Sequence, residues 1–172
     1  FLIALLSLGT VPVSAGAELA PFTPERMWQL QRIGAPDVSP DGRFAVAAVS
    51  RFDMAENKAY SNIWQWDTAT GAARQLTSRN VSDGSPLVSP DGRRMAFVSQ
   101  REGDTAPQLY LLPLDGGEPQ RLTSVATGVA QPKWFPDGTR IAFLSRVWAD
   151  LDTSARQAER LKERTDAKMQ AQ

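Results

Sequence analysis

The sequence of 172 residues contains no histidine and no cysteine. A Ser-His-Asp or Cys-His mechanism needs an imidazole to carry the proton, so neither kind of triad can form from these residues. The missing thiols exclude disulfides, thiolate metal sites and cysteine-linked lipid anchors, and the missing imidazoles exclude histidine metal sites. Only metal sites built from oxygen ligands stay open. We therefore predict no catalytic residue, no metal ligand and no cofactor-binding residue in this sequence.

The charge balance excludes one class of partner. The 19 basic and 19 acidic side chains cancel, and no block of lysine or arginine stands out in the repeated segments. A nucleic-acid partner requires a basic surface, so we expect none. Serine catalysis also lacks its usual marker, because no Gly-x-Ser-x-Gly motif occurs.

The amino-terminal segment is apolar and uncharged up to Val13, and a small-x-small pattern ending at Ala17 follows it. This order predicts a secretory signal peptide over residues 1–17, and therefore a periplasmic or secreted protein that is free of the membrane after cleavage. A membrane anchor is the alternative, but a segment interrupted by Gly9 and Pro12 barely reaches the lower length limit for a span. We expect both ends of the sequence to be clipped.

One phrase occurs three times. Ser-Pro-Asp-Gly-Arg stands at residues 39–43 and 89–93, and Phe-Pro-Asp-Gly-Thr stands at 135–139. A second phrase, Leu-Thr-Ser, begins at Leu76 and again at Leu122. The offsets are 50 residues between the first two copies of the proline, 46 to the third copy, and 46 between the two leucines. A period of this size with several short strands per unit is typical of β-propeller blades.

The residues of each unit predict four strands. Proline presets φ and glycine takes the left-handed conformation, so each Pro-Asp-Gly phrase predicts a hairpin corner between a short first strand and the next one. The strand after the corner is an unbroken apolar run, which indicates burial on both faces. The third and fourth strands are predicted at residues 63–66 and 74–77, and again at 109–112 and 120–123.

A helix is predicted at each end of this array. Thr23, Pro24 and Glu25 are typical of a helix start, and we expect that helix to end at Gly34. The third strand of the third unit should begin near residue 155, but the sequence there is charged and has helical spacing. Ser154 with Gln157 predicts a capping box for this second helix.

The predicted fold class is all-β, an incomplete β-propeller of about two and a half four-stranded blades with a short N-terminal helix and a C-terminal helical insertion. Three units are too few to close a propeller. The predicted divisions are a signal peptide at 1–17, an N-terminal segment at 18–34, blade one at 35–78, blade two at 79–124, the start of blade three at 125–147, and a truncated charged helical insertion at 148–172.

Three sets of residues are candidates for function, each with a structural alternative. The aspartates of the corners (Asp41, Asp91, Asp137) are explained by the hairpin itself. The arginines after the buried strands (Arg51, Arg101, Arg146) could attract a peptide carboxylate, although their repetition favours a scaffolding role. Asp150 and Asp152 could form a weak oxygen cluster, but a charge effect at the helix start explains them better.

These phrases, together with Ser145 to Asp152 and the charged helix after it, resemble the amino-terminal part of a prolyl oligopeptidase-family serine peptidase. The acylaminoacyl-peptidase and dipeptidyl-peptidase-like branch is the most similar, and the resemblance covers residues 22–172. It implies a propeller of about seven blades that covers a carboxy-terminal α/β-hydrolase domain, where the catalytic Ser, Asp and His lie outside this sequence. In such enzymes the propeller restricts access to short peptides.

The resemblance therefore implies an exported serine exopeptidase that cleaves short peptides by dipeptidyl or acylaminoacyl release, with this part alone inactive and a homo-oligomer possible. The alternative is a non-catalytic periplasmic propeller similar to TolB, which acts as a protein-binding module. A binding module of this kind is expected to keep its blades regular. The helical interruption after Trp148 therefore argues against this alternative.

Overall fold

Antiparallel sheets follow one another along the chain, with a helix at each end of the described part. The computed structural model describes residues 21–170, and the predicted signal peptide of residues 1–17 lies outside the described residues. Between residues 21 and 170, no helix is both long enough and apolar enough to cross a membrane.

The first helix, α1 (Pro24–Gln29), begins as predicted, because the Thr23 hydroxyl accepts a hydrogen bond from the Arg26 amide at 3.4 Å. Its predicted end at Gly34 is wrong. The chain leaves the helix at Leu30 and forms strand β1 (Arg32–Ile33), which pairs with a later strand. The helix ends early because β1 pairs with a strand further along the chain, a contact that the local sequence does not predict.

Blade one is the first sheet. Its strands are β1, β2 (Asp37–Val38), β3 (Phe44–Asp53), β4 (Lys58–Asp67) and β5 (Ala73–Gln75). Both β1 and β2 pair with β3, at Ile33↔Val49 and Asp37↔Val46, so they are two parts of one interrupted first strand. The blade therefore has the predicted four-stranded form.

Blade two is the second sheet, and its strand order is sequential. Its strands are β6 (Gly84–Val88), β7 (Arg94–Ser99), β8 (Gln108–Pro113) and β9 (Gln120–Arg121). The apolar run of β7 is buried, with Met95, Ala96 and Phe97 fully inaccessible to solvent. Burial of consecutive residues confirms that β7 is covered on both faces.

The predicted corners are present in all three blades. Gly42, Gly92 and Gly138 have φ values of 71°, 70° and 65°, in the left-handed region that favours glycine. In the first corner the Gly42 amide donates to the Ser39 carbonyl at 2.8 Å, and the Ser39 amide donates to the Phe44 carbonyl at 2.8 Å. The local residues therefore determine these turns.

The main core lies between blades one and two. It consists of large side chains from the facing surfaces of the two sheets: Val46 and Ile63 of blade one, and Val88, Met95, Phe97, Tyr110 and Leu112 of blade two. A second cluster, built around Ala96, Leu109 and Val129, lies between blades two and three.

Blade three has only two strands among the described residues, β10 (Ala130–Trp134) and β11 (Ile141–Leu144). Strand β11 pairs with β10 on one edge, whereas β3 and β7 are paired on both edges. The chain then enters helix α2 (Ser154–Gln170), where a third strand would otherwise follow. The structure thus confirms an incomplete propeller with two helices.

The missing strands leave an open wedge beside β11. A cavity of about 460 Å³ lies between blades two and three, with Leu109, Leu111 and Leu122 on one side and Ile141 and Phe143 on the other. Between blades one and two, the equivalent space is filled by Tyr110 and Leu112, which belong to the third strand of blade two. Among residues 21–170, no strand covers the apolar lining of this wedge.

Candidate functional site

The two ends of the blades differ in chemistry. One end carries the Pro-Asp-Gly corners, and we call it the corner end. The opposite end, which we call the loop end, carries the connections that follow β3, β7 and β11. Arg51, Arg101 and Arg146 lie there, and so does the start of α2. The predicted candidates other than the corner aspartates are thus all at the loop end.

The corner aspartates are engaged in holding their turns. The Asp41 carboxylate accepts hydrogen bonds from the Ser39 hydroxyl at 2.7 Å and from the Arg43 amide at 3.1 Å. The hydroxyl bond first, and the amide bond next, lower the pKa of Asp41 to about 2. The pKa of Asp91 is lowered by the same two kinds of bond, and the pKa of Asp137 is lowered chiefly by a backbone amide. These contacts agree with the structural interpretation of the corners.

The three repeated arginines have different surroundings. Arg51 is exposed, donates to the Asn80 side-chain oxygen at 2.7 Å and lies 5.2 Å from the centroid of the Tyr60 ring. Arg101 is buried between blades, whereas Arg146 is exposed beside α2. They do not form one set of equivalent side chains, so a common role for the three is wrong.

Arg101 forms the centre of a buried charged cluster. Its side chain is 9% exposed, and one terminal nitrogen is 3.8 Å from a carboxylate oxygen of the fully buried Asp83. The guanidinium carbon lies 4.7 Å from the centroid of the Tyr110 ring and 5.4 Å from that of Phe97. The arginine therefore has an ion-pair partner and two aromatic rings around it.

A second carboxylate completes this cluster. Asp104 accepts hydrogen bonds from the Tyr110 hydroxyl at 2.6 Å and the Arg101 amide at 3.0 Å, and pairs with Arg121 at 3.1 Å. Burial, followed by the hydrogen bond to Asp104, raises the pKa of Tyr110 to about 12. The phenol therefore stays protonated across the physiological pH range.

The cluster joins blades one and two. The Asp83 amide donates to the Ser61 carbonyl at 2.9 Å, and the Ser61 hydroxyl donates to the Asp83 carbonyl at 2.7 Å. Ser61 belongs to β4 of blade one, while Asp83 directly precedes β6 of blade two. Within the described residues, the Asp83 carboxylate accepts no hydrogen bond, so its charge is compensated by Arg101 alone. The contacts of the cluster are ion pairs, hydrogen bonds and cation–π contacts, so its role in these blades is electrostatic.

The two acidic residues before α2 do not converge on a common point. Asp150 pairs with Arg160 at 3.2 Å, and Asp152 pairs with Arg156 at 3.2 Å. The oxygen-cluster interpretation of this pair is therefore wrong, because each carboxylate is engaged with its own arginine. Across residues 21–170, no three or more acidic side chains gather in a way that could hold a metal ion.

The predicted capping box at α2 is also wrong. Thr153, and not Ser154, caps the helix by accepting a hydrogen bond from the Arg156 amide at 3.3 Å. The buried Gln157 side chain instead donates to the carbonyls of Trp148 and Leu151, both at 2.8 Å, and accepts from the Trp148 amide at 2.9 Å. Gln157 thereby fixes α2 to the turn that precedes it.

Two cavities lie at the loop end of blade three, of which α2 lines only the first, and together we call them the α2 cleft. The first has about 320 Å³ and is lined by Thr127, Arg146, Val147, Trp148, Leu161 and Arg164. The second has about 460 Å³ and is lined by Pro107, Thr127 to Gln131, and Leu144 to Arg146. Thr127 and Arg146 line both cavities, so the two are neighbours. The sequence marked Arg146 as a candidate but gave no sign of Arg164, which α2 brings to the same cavity.

A family model agrees with this architecture. The model described as TolB beta propeller domain matches residues 29–168. Among solved structures, a TolB from Agrobacterium tumefaciens is 27% identical and has a TM-score of 0.56, over 71% of this chain and 41% of that one. The acylaminoacyl peptidase of Pyrococcus horikoshii, at 17% identity, shares the fold with a TM-score of 0.59, over 73% of this chain and 19% of that one.

Curated relatives carry peptidase names. A Bacillus subtilis (strain 168) protein named "Uncharacterized peptidase YuxL" is 42% identical over 95 residues, which are 55% of this chain and 14% of that protein. "Dipeptidyl-peptidase 5" of Porphyromonas endodontalis is 27% identical over 118 residues, or 69% of this chain and 17% of that protein. The chain thus spans less than a fifth of the length of these relatives, and it is similar to the propeller part of peptidases.

Proposed function

Because the chain belongs to the TolB beta propeller domain family, we propose that it forms the first blades of the propeller of a longer peptidase. We propose further that this parent is an exported serine exopeptidase of the prolyl oligopeptidase family. It would release dipeptides or acylated amino acids from short peptides. The observation that carries the proposal is the 42% identity with a protein named a peptidase, over more than half of this chain.

In this proposal the chain contributes structure and access, while the reacting groups lie elsewhere in the parent protein. The absence of histidine in the sequence is consistent with that division, because the triad base must come from another segment. The blades pack into a rigid wall through the apolar seam between blades one and two. Such a wall would exclude large substrates and admit short peptides. Assembly of the parent as a homo-oligomer is part of the proposal.

A second candidate function is a non-catalytic, exported binding propeller. The 27% identity with a TolB structure supports it. Helix α2 speaks against it, because a regular binding propeller would continue with the third strand of blade three, whereas the chain enters a 17-residue helix. The two candidates differ in one property, which is peptide hydrolysis.

The discriminating experiment uses the full-length parent protein. We expect it to hydrolyse chromogenic dipeptidyl or acylaminoacyl substrates, and we expect a serine-directed phosphonate to abolish the activity. We also expect a Gly-x-Ser-x-Gly motif downstream, followed in order by Asp and His. Hydrolysis that resists the phosphonate would contradict the serine mechanism. No turnover of either substrate, together with a further sequence of blades alone, would support the binding module instead.

A further inference from the structure

We propose that the α2 cleft is a binding site for the carboxyl-terminal carboxylate of a peptide, with Arg146 and Arg164 as its anion-binding groups. The proposal rests on the proposed function, since it assigns the peptide substrate a docking point on these blades. It adds a specific preference, for peptides with a free carboxylate over peptides whose carboxyl terminus is blocked.

The first support is the charge of the cleft. Arg146 and Arg164 line the same cavity of about 320 Å³, and neither makes an ion pair or a side-chain hydrogen bond with any residue between 21 and 170. The acidic residues near the start of α2 are already engaged, because Asp150 pairs with Arg160 and Asp152 with Arg156. Two unmatched positive charges therefore remain in one cavity.

The neighbours of Arg164 along α2 do not neutralise it. Side chains three and four positions away share a helix face, and for Arg164 these are Leu161, Arg160, Ala167 and Lys168, none of which is acidic. The acidic residues of the helix lie at other positions and line neither cavity: Glu159, Glu163 and Asp166. These neighbours offer no carboxylate to Arg164.

The second support is the shape and polarity of the walls. Val147, Trp148 and Leu161 give the smaller cavity an apolar lining beside the two guanidinium groups. A terminal residue of a peptide has the complementary form, with an apolar side chain next to a carboxylate. The cavity volume of about 320 Å³ lies at the small end of the range for ligand pockets, which suits one terminal residue better than a large ligand.

The third support is the continuation of the cleft. The larger cavity, of about 460 Å³, begins at the shared Thr127 and Arg146 and is lined by the chain from Gly128 to Gln131. This segment offers backbone groups beside the shared Arg146. The preceding residues of a bound peptide would lie there. Guanidinium groups bind carboxylates through paired N–H donors, so two arginines at one end would fix the direction of the peptide.

Gln157 holds this arrangement together. Its three hydrogen bonds to Trp148 and Leu151 set the position of α2, and therefore of Arg164, relative to the turn that carries Trp148. We regard Gln157 as a positioning residue of the cleft. It lines neither cavity and is not expected to contact the peptide.

The test compares two peptides that differ only at the carboxyl terminus, one with a free carboxylate and one with an amide, as substrates of the full-length protein. We expect the KM of the free acid to be about tenfold lower, which corresponds to one charge-assisted contact. Arg146→Gln with Arg164→Gln should raise the KM of the free acid to that of the amide. Arg156→Gln is the matched control, because Arg156 lies on α2, is exposed and pairs with Asp152.

The proposal is overturned if the wild-type protein shows no preference for the free acid. That result is expected if another segment of the parent covers the cleft. It is also overturned if the preference survives in the double variant, or if Arg156→Gln removes the preference equally. Should neither peptide be hydrolysed, the proposed peptidase function fails by itself. Fluorescence anisotropy with labelled copies of the two peptides then decides whether the cleft binds carboxylates.

Discussion

At the scale of single residues, the buried charges between blades one and two have the largest energetic consequence. Asp83 is fully buried and Arg101 is its ion-pair partner at 3.8 Å. A buried charge that loses its partner keeps the cost of desolvation without the compensating attraction. Arg51, at the equivalent repeat position near the end of β3, is exposed and donates to the neutral Asn80. Arginine at this repeat position therefore contributes more to stability in blade two than in blade one.

Replacing Arg101 with methionine should destabilise the propeller. We expect Arg101→Met to lower its free energy of unfolding by about 3 to 5 kcal/mol, because the Asp83 carboxylate stays buried without a partner. The matched variant Arg51→Met should cost about 1 kcal/mol or less. Urea unfolding followed by tryptophan fluorescence measures both changes. Equal losses in the two variants would refute the assigned roles, and Asp83→Asn combined with Arg101→Met should recover part of the loss.

Acid should weaken the first corner through Asp41. Its pKa is lowered to about 2 in the folded state, against an ordinary value near 4, so its contribution to stability is complete above about pH 4 and is lost as the pH falls toward 2. We expect Asp41→Asn to remove this part of the pH dependence, and Ser39→Ala to reduce it by removing the largest cause of the shift. Thermal melts between pH 5 and pH 2 provide the measurement, and unchanged slopes in both variants would count against this account.

At the scale of the elements, the sequence predicted features that depend on local residues. The three corners, the strand after each corner and the existence of both helices follow from proline, glycine and apolar runs that neighbour one another in the chain. The predicted burial of that strand is confirmed for β7 but is wrong for β11, where Phe143 and Leu144 are 36% and 59% exposed. The end of α1 was not predictable in this way, because β1 forms by pairing with β3, as in Ile33↔Val49. The cap of α2 was misassigned for a similar reason, since Gln157 contacts Trp148 nine residues away.

The conformational requirement of the corners can be isolated with two glycines. A Cβ at Gly42 or at Gly84 would meet nothing within 4 Å, but only Gly42 has a positive φ, of 71°. We expect Gly42→Ala to cost about 1 to 2 kcal/mol, since a left-handed backbone is unfavourable for L-residues. Gly84→Ala should be neutral, or stabilising by less than about 1 kcal/mol. Chemical unfolding of the two variants gives the comparison, and a loss at Gly84 as large as that at Gly42 would contradict the assigned cause.

The attachment of α2 depends on Gln157. We expect Gln157→Ala to increase hydrogen exchange of the α2 amides and of the turn from Trp148 to Leu151, because three hydrogen bonds to that turn are lost. Exchange within β7 should stay unchanged, since this strand lies in the core. Glu159→Ala, on the exposed surface of α2, is the control. Similar exchange in the two variants would show that Gln157 does not hold the helix.

At the scale of the whole molecule, the repeat predicted the kind of fold better than it predicted the site. Recurrence of the corners every 46 to 50 residues is sufficient to indicate blades, because each blade packs against its neighbours in the same way. The site residues break the repeat. Asp83 and Arg164 became visible only when the chain was folded, since Asp83 meets an arginine 18 positions away and Arg164 faces the cavity shared with Arg146.

The central claim is the proposal that these blades belong to a longer propeller, in which a third strand joins the edge of β11 that β10 leaves free. Hydrogen exchange of the full-length protein across β11 (Ile141–Leu144) tests it most directly, with β7 (Arg94–Ser99) as the internal reference for a strand paired on both edges. We expect the β11 amides that do not face β10 to be protected to the same degree as those of β7. If these amides exchange as rapidly as those of an unpaired edge, blade three is not completed there and the account is wrong.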